Sequence, residues 1–87
     1  MTPQEIKTIC LKSLRAAELR GKGALNEGEL LVVAQQVFGK ECSKSILREI
    51  LSDLEDTSLV NRSADGDGVL PDNYSLTLKG QNKAKLL

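Results

Sequence analysis

Histidine is missing from these 87 residues, and aromatic side chains number two, Phe38 and Tyr74. The first absence removes the commonest general base and the commonest metal ligand. The second argues against a grip on single-stranded nucleic acid, which relies on several exposed aromatic faces for base stacking. An excess of either charge is missing too, since twelve Lys and Arg balance twelve Asp and Glu. Any surface for a polyanion must therefore come from segregating charge by face. No apolar run reaches the roughly 18 residues of a membrane span, and no charged stretch leads into an apolar core at the start. Neither a membrane anchor nor a signal peptide is expected. Cys10 and Cys42 are too few and too far apart for a disulfide framework. A reducing cytoplasm is the expected setting.

What is present suits one domain spanning residues 1–87, with a core drawn from a few well-packed elements. Thr2-Pro3-Gln4-Glu5 reads as a helix start: Thr caps, Pro suits the first turn and Glu completes a capping box. Ile6, Ile9, Cys10, Leu14 and Ala17 recur at helical spacing, and Gly21 supplies a stop. Helix 1 is expected over about residues 3–20. Leu25 follows in a short extended stretch and is expected to turn inward. Asn26 and Glu29 form a second capping box, opening helix 2 over about residues 27–38. Its expected buried stripe is Leu30, Leu31, Ala34, Val37 and Phe38, and Gly39 ends it. Ser43 caps helix 3, over about residues 44–56, with the stripe Ile46, Leu47, Ile50, Leu51 and Leu54.

After Thr57-Ser58 the apolar period changes from helical to alternating. Leu59-Val60-Asn61-Arg62 reads as a strand, and "SADGDGVLPDN" is rich in turn formers. Tyr74, Leu76 and Leu78 then share one face of a returning strand, with Ser75 and Thr77 on the other. The hairpin is expected over about residues 59–78 and a last short helix over about 79–86, with Ala84 and Leu87 turned inward. The fold class is mainly α with a small β-hairpin (α+β), in the order of a winged helix-turn-helix.

Three stretches carry a family resemblance. "ILREILSDLEDTSLVNR", Ile46 to Arg62, resembles the recognition helix and first wing strand of winged-helix regulators of the multiple-antibiotic-resistance and phenolic-acid repressor types. "DGDG" sits where their wing turns, and "YSLTLKG" is similar to their strand-to-helix step, with its Leu-Thr-x-x-Gly pattern. The resemblance covers roughly residues 26–87 and is more specific for fold than for function. The chain departs from it twice. Ser58 stands where the family usually has Gly, in a turn that favours left-handed backbone. Asp65, Asp67 and Asp72 stand at the wing, where DNA-binding members commonly carry Arg or Lys.

The resemblance implies a transcriptional regulator that lays helix 3 in the major groove of double-stranded DNA. Lys44 and Ser45 lie in that helix's first turn, Arg48 is placed to reach a guanine edge, and Ser52 shares the face. Lys40 is expected as an outlying phosphate contact and Arg62 as one at the wing base. The acidic wing tip is expected to stay out of the minor groove. The alternative is a winged-helix module that binds protein and not DNA; neutral charge, Glu49, Asp53 and the acidic wing suit it. A continuous basic face would favour the first reading, and a mixed face the second.

The resemblance also implies a homodimer built through terminal helices. Leu11 and Leu19 fall outside the helix 1 stripe on a helical wheel. With Leu86 and Leu87 of the tail they form the candidate interface; the alternative is that they cover the core of a monomer. No cofactor or metal is expected. "DGDG" has no bidentate Glu at the end of a calcium loop and reads as a solvated turn. Cys42 lies beside the start of helix 3, where a thiolate would be stabilised, but an inert small residue is the default there. Without histidine, a nucleophile elbow, a phosphate-cradling glycine loop or a carboxylate pair in a recognisable setting, the chain is not expected to be an enzyme.

Overall fold

The computed structural model describes residues 2–63 and 73–87. In them α1 (Pro3–Leu19), β1 (Leu25–Asn26) and α2 (Glu27–Phe38) lead through a 3-10 turn (Gly39–Glu41) to α3 (Lys44–Asp56). Then come β2 (Val60–Ser63), β3 (Asn73–Leu76) and α4 (Leu78–Lys85). The described chain is mainly helical, with one small antiparallel sheet ordered β1-β3-β2. Asp65, Asp67 and Asp72, with the expected wing tip and its "DGDG" turn, lie outside the described residues.

Local chemistry sets the helix entries. Thr2, Asn26, Ser43 and Thr77 each accept, through the side chain, the backbone N–H three residues on. Each satisfies one of the donors that a helix start leaves unpaired. At α2 the box is reciprocal, because Glu29 Oε1 accepts the Asn26 N–H at 3.2 Å. The bond from the Lys22 ammonium, and then the Asn26 N–H, hold the Glu29 carboxyl below its ordinary value of 4.5. Its contribution to stability is complete above that value and fades as the pH falls through the lowered one.

Two helices end in the same way. At the end of α1 the Gly21 N–H bonds the Glu18 carbonyl and the Lys22 N–H bonds the Ala17 carbonyl, with Gly21 at φ +81°. At the end of α3 the Ser58 N–H bonds the Glu55 carbonyl and the Leu59 N–H bonds the Leu54 carbonyl, both at 2.9 Å. Both are Schellman exits, which need a left-handed residue. In α3 that residue is Ser58, at φ +63°. A Cβ in that conformation crowds the following carbonyl.

The sheet register places Leu25 opposite Tyr74, Arg62 opposite Tyr74 on the other side, and Val60 opposite Leu76. Tyr74, Leu76, Val60 and Leu25 turn into the core, while Asn61, Arg62 and Ser63 are exposed. The alternation stops earlier than expected. Thr77 caps α4 directly, the helix begins at Leu78, and Leu78 is 75% exposed and not inside.

The core joins Ile6, Cys10, Leu11, Leu14 and Ala17 of α1 to Leu30 and Ala34 of α2, and to Leu47, Ile50, Leu51 and Leu54 of α3. Leu11 therefore corrects the expected dimer interface: it is 1% exposed. A single narrow stripe understates α1, because α2, α3, α4 and β3 all pack around it. Val37 is a correction in the opposite sense. It is 54% exposed, since α2 meets the core mainly through Leu30 and Ala34, with Leu31 and Phe38 half-buried beside them. Ala84 is buried as expected, but Leu87 keeps 43% of its surface in solvent.

A dense clasp joins the end of α3 to the start of α4. The Thr77 N–H bonds the Leu59 carbonyl at 3.2 Å, and the Thr77 hydroxyl donates to the Ser58 carbonyl while accepting the Gly80 N–H. Lys79 Nζ donates to the Thr57 carbonyl at 3.0 Å. Gly80 lies so close that a Cβ there would stand 1.9 Å from the Leu59 oxygen.

Two substitutions should move stability in opposite directions. Gly80→Ala must displace backbone, and is expected to cost at least about 3 kcal/mol or to prevent folding. Ser58→Gly relieves the left-handed turn and is expected to gain about 1 kcal/mol. Urea unfolding followed by circular dichroism measures both. A Ser58→Gly protein no more stable than the parent would show that the turn carries no strain.

Candidate functional site

The core face of α3 is fixed by Leu47, Ile50, Leu51 and Leu54, all buried. Its entry is fixed by Cys42, 0% exposed, and by Gln35, whose Nε2 donates to the Cys42 carbonyl at 3.1 Å. With one side anchored, the other must face solvent. Lys44, Ser45, Arg48, Glu49, Ser52 and Asp53 are all exposed there, and Lys40 is exposed in the preceding turn.

Cations come early on this face and acids late, with Glu41 beside Lys40 in the entry turn and Glu49 beside Arg48 interrupting the order. Lys40, Lys44 and Arg48 come first; Glu49, Asp53, Glu55 and Asp56 follow. That order opposes the helix dipole, which favours anions at the start and cations at the end. α1 has Glu5 in its first turn, α2 has Glu27 and Glu29, and α4 has Lys83 and Lys85 in its last. α3 has no acid in its first turn and no base in its last. Each such mismatch costs a helix about 0.3–1 kcal/mol at low salt, so helix stability does not account for the pattern.

Ion pairs tie this face to its surroundings. Arg48 Nε donates to Glu27 Oε1 at 2.9 Å, from the first turn of α2, whose carboxylate side chain is 13% exposed. Arg62, on β2, does not stand clear at a wing base: its Nε lies 3.2 Å from Glu55 Oε2. Lys7 Nζ of α1 reaches Asp53 Oδ2 at 3.9 Å. Each pair keeps at least one partner well exposed and is worth at most about 1 kcal/mol, so they bias side-chain position more than they hold the fold. The structure therefore brings Lys40, Lys44, Ser45, Arg48 and Ser52 to α3 and its entry turn, and places Arg62 beside the acidic end. Glu27 and Glu55 were missed as partners. Nothing in the local sequence pairs positions so far apart, although α2 abutting α3 makes the first pair natural.

The expected dimer residues do not form a single set. Leu11 is in the core, while Leu19 and Leu86 are 74% and 85% exposed. Among the described residues no cluster of His, Cys, Asp and Glu is placed to hold a metal ion, and no helix is long and apolar enough to cross a membrane.

Cys42 agrees with the default reading of an inert small residue. Its position before α3 suggested a stabilised thiolate, but the side chain turns into the core and burial raises its pKa. Burial, with a smaller contribution from Cys42, pushes the Cys10 thiol up to about 12. Such thiols are poor nucleophiles and are also out of reach. In native protein at pH 8, iodoacetamide is expected to alkylate both more than about 100-fold more slowly than in urea. Rapid native modification of Cys42, read by mass spectrometry, would restore a redox role. Among proteins already characterised, the chain matches no family model, no curated protein and no solved structure.

Proposed function

We propose that the chain is a winged helix-turn-helix protein that binds double-stranded DNA through the N-terminal half of α3, in the manner of a transcriptional regulator. One observation carries the reading: Lys44 stands in the first turn of α3, which has no acid, against that helix's own dipole, with Lys40 in the entry turn and Arg48 one turn on. Charge placed at a cost to the helix suggests a partner that repays it, and a polyanion fits a cluster of cations at a helix start. The element order, the β1-β3-β2 sheet and the α2-turn-α3 step support the winged-helix part. In this reading Lys40 and Lys44 meet phosphate, Ser45 and Arg48 reach base edges, and Ser52 lies farther along the groove. Arg62 would add a phosphate contact by leaving Glu55. The protein works as a binding module in a reducing cytoplasm, without catalysis.

A second reading rests on the same face. Arg48 is already paired with Glu27, Arg62 with Glu55, and the far half of α3 is acidic. A mixed surface of this kind suits a protein partner. Salt separates the two. Titrating a generic duplex at rising salt should give an affinity that falls linearly on logarithmic axes, and Lys44→Ala should flatten the slope by about 0.9. Absence of salt-sensitive duplex binding at low ionic strength would leave the protein-interaction reading in its place.

Reading two half-sites on a duplex calls for two copies. We propose a homodimer through Leu19 of α1 and the tail residues Leu86 and Leu87, with Leu11 excluded by its burial. Leu19→Glu with Leu86→Glu changes surface positions, so the fold should survive it. Sedimentation at micromolar concentration should show a dimer for the parent and a monomer for the double variant. A monomeric parent would end the proposal.

A further inference from the structure

α1 and α2 run antiparallel and leave a groove with two openings, neither lined by any residue of α3. One, of about 710 Å3, lies where the end of α1 meets the start of α2, beside Ala16, Arg20, Val32 and Val33. The other, of about 240 Å3, lies where the start of α1 meets the end of α2, beside Glu5, Ile9, Val37 and Phe38. The apolar surface here is open to solvent. Val32 and Val37 are 57% and 54% exposed, Ala16 is exposed, and Ile9, Val33 and Phe38 are half-buried. Single apolar side chains on a surface are ordinary, but these six line one groove.

Spacing and charge say what fits. From Ile9 to Ala16 is seven residues of helix, so the openings lie about 10 Å apart along α1. A second helix presents its side chains at i and i+7 on one face over that same distance. An extended segment covers it in about three residues, whose first and last side chains point to opposite faces. Glu5 lies at one end of the groove and Arg20 at the other. Neither makes an ion pair among the described residues, whereas Lys22 and Glu29 pair with each other. A helix is favoured with acids in its first turn and bases in its last. Laid antiparallel to α1, such a helix brings its acids to Arg20 and its bases to Glu5. We propose that the groove takes one amphipathic α-helix of a partner protein in this direction, with two aliphatic side chains seven residues apart entering the two openings. The groove is separate from α3, and its lining does not include Leu19, Leu86 or Leu87.

The test uses the whole chain, labelled with 15N, and a synthetic alanine-rich peptide of about 15 residues, four turns of helix. The peptide carries glutamates in its first turn, two leucines at i and i+7, and lysines in its last turn. It should shift the amides of Ile9, Ala16, Val33 and Val37 in a saturable way. Replacing its leucines by alanine, or exchanging its glutamates and lysines, should weaken binding at least fivefold. Val37→Glu changes an exposed position and should weaken binding at least tenfold with an unchanged melting temperature. Glu5→Lys with Arg20→Glu should reverse the preference, so that the charge-exchanged peptide binds the tighter. Absence of saturable binding, shifts centred on α3, full affinity in Val37→Glu or an unreversed preference would each overturn the proposal. Shifts of the same amides with protein concentration alone would also overturn it, by giving the face to a second copy.

Discussion

The carbonyl of Leu59 is the point on which the rest of the molecule depends. It accepts the Thr77 N–H, and the backbone of Gly80 is pressed against it with no room for a side chain. Around it the Ser58 carbonyl is taken by the Thr77 hydroxyl and the Thr57 carbonyl by Lys79. The carbonyls of Thr57, Ser58 and Leu59, just past the end of α3, are thereby taken by the start of α4. This junction joins two distant parts of the chain. It fixes where β2 leaves α3 and where β3 becomes α4, and so sets how α4 lies across α1. The outward pose of α3 follows from that support.

Within this frame, apolar contacts determine position and charges determine surface. α3 is held from behind by four buried aliphatic side chains, and the ion pairs described on its front each keep at least one partner well exposed. Its front can therefore carry an arrangement that its own helix does not favour. The charge order of α3 is best understood as a property of the surface, tolerated because packing supplies the stability.

How much of this could be read in the sequence depended on the distance over which each feature is decided. Caps at Thr2, Asn26 and Ser43 are local, and the bonds they make follow from residue type three positions apart. Ser58 was flagged through the family resemblance as standing at a left-handed position, and its φ is +63°. Burial was less legible because it depends on how many neighbours surround an element. Leu11 lies off the simple stripe of α1 but faces the junction with α3 and α4, while Val37 lies on the stripe of α2 and stays half exposed beside α1. Leu78 was misread because the Thr77 cap ends the strand period one step sooner than the apolar pattern does. Of the candidate site, the residues exposed on α3 were legible from its heptad-like spacing. The tethering of Arg48 by Glu27 and of Arg62 by Glu55 was not, since only the folded arrangement of α2, α3 and β2 brings those pairs together.

The strand order has a consequence for how the chain folds. β3 is the central strand, yet it follows both its neighbours in sequence: Leu25 must wait for Tyr74, and Val60 for Leu76. The helices can form early from local interactions, but neither outer strand has a partner until the segment from Asn73 arrives. Closing the Leu25–Tyr74 pair encloses most of the chain, so its loop entropy is lost late and at once. During synthesis on a ribosome, β1 and β2 would thus emerge as open edges, and the sheet would assemble as a final cooperative step once β3 leaves the exit tunnel.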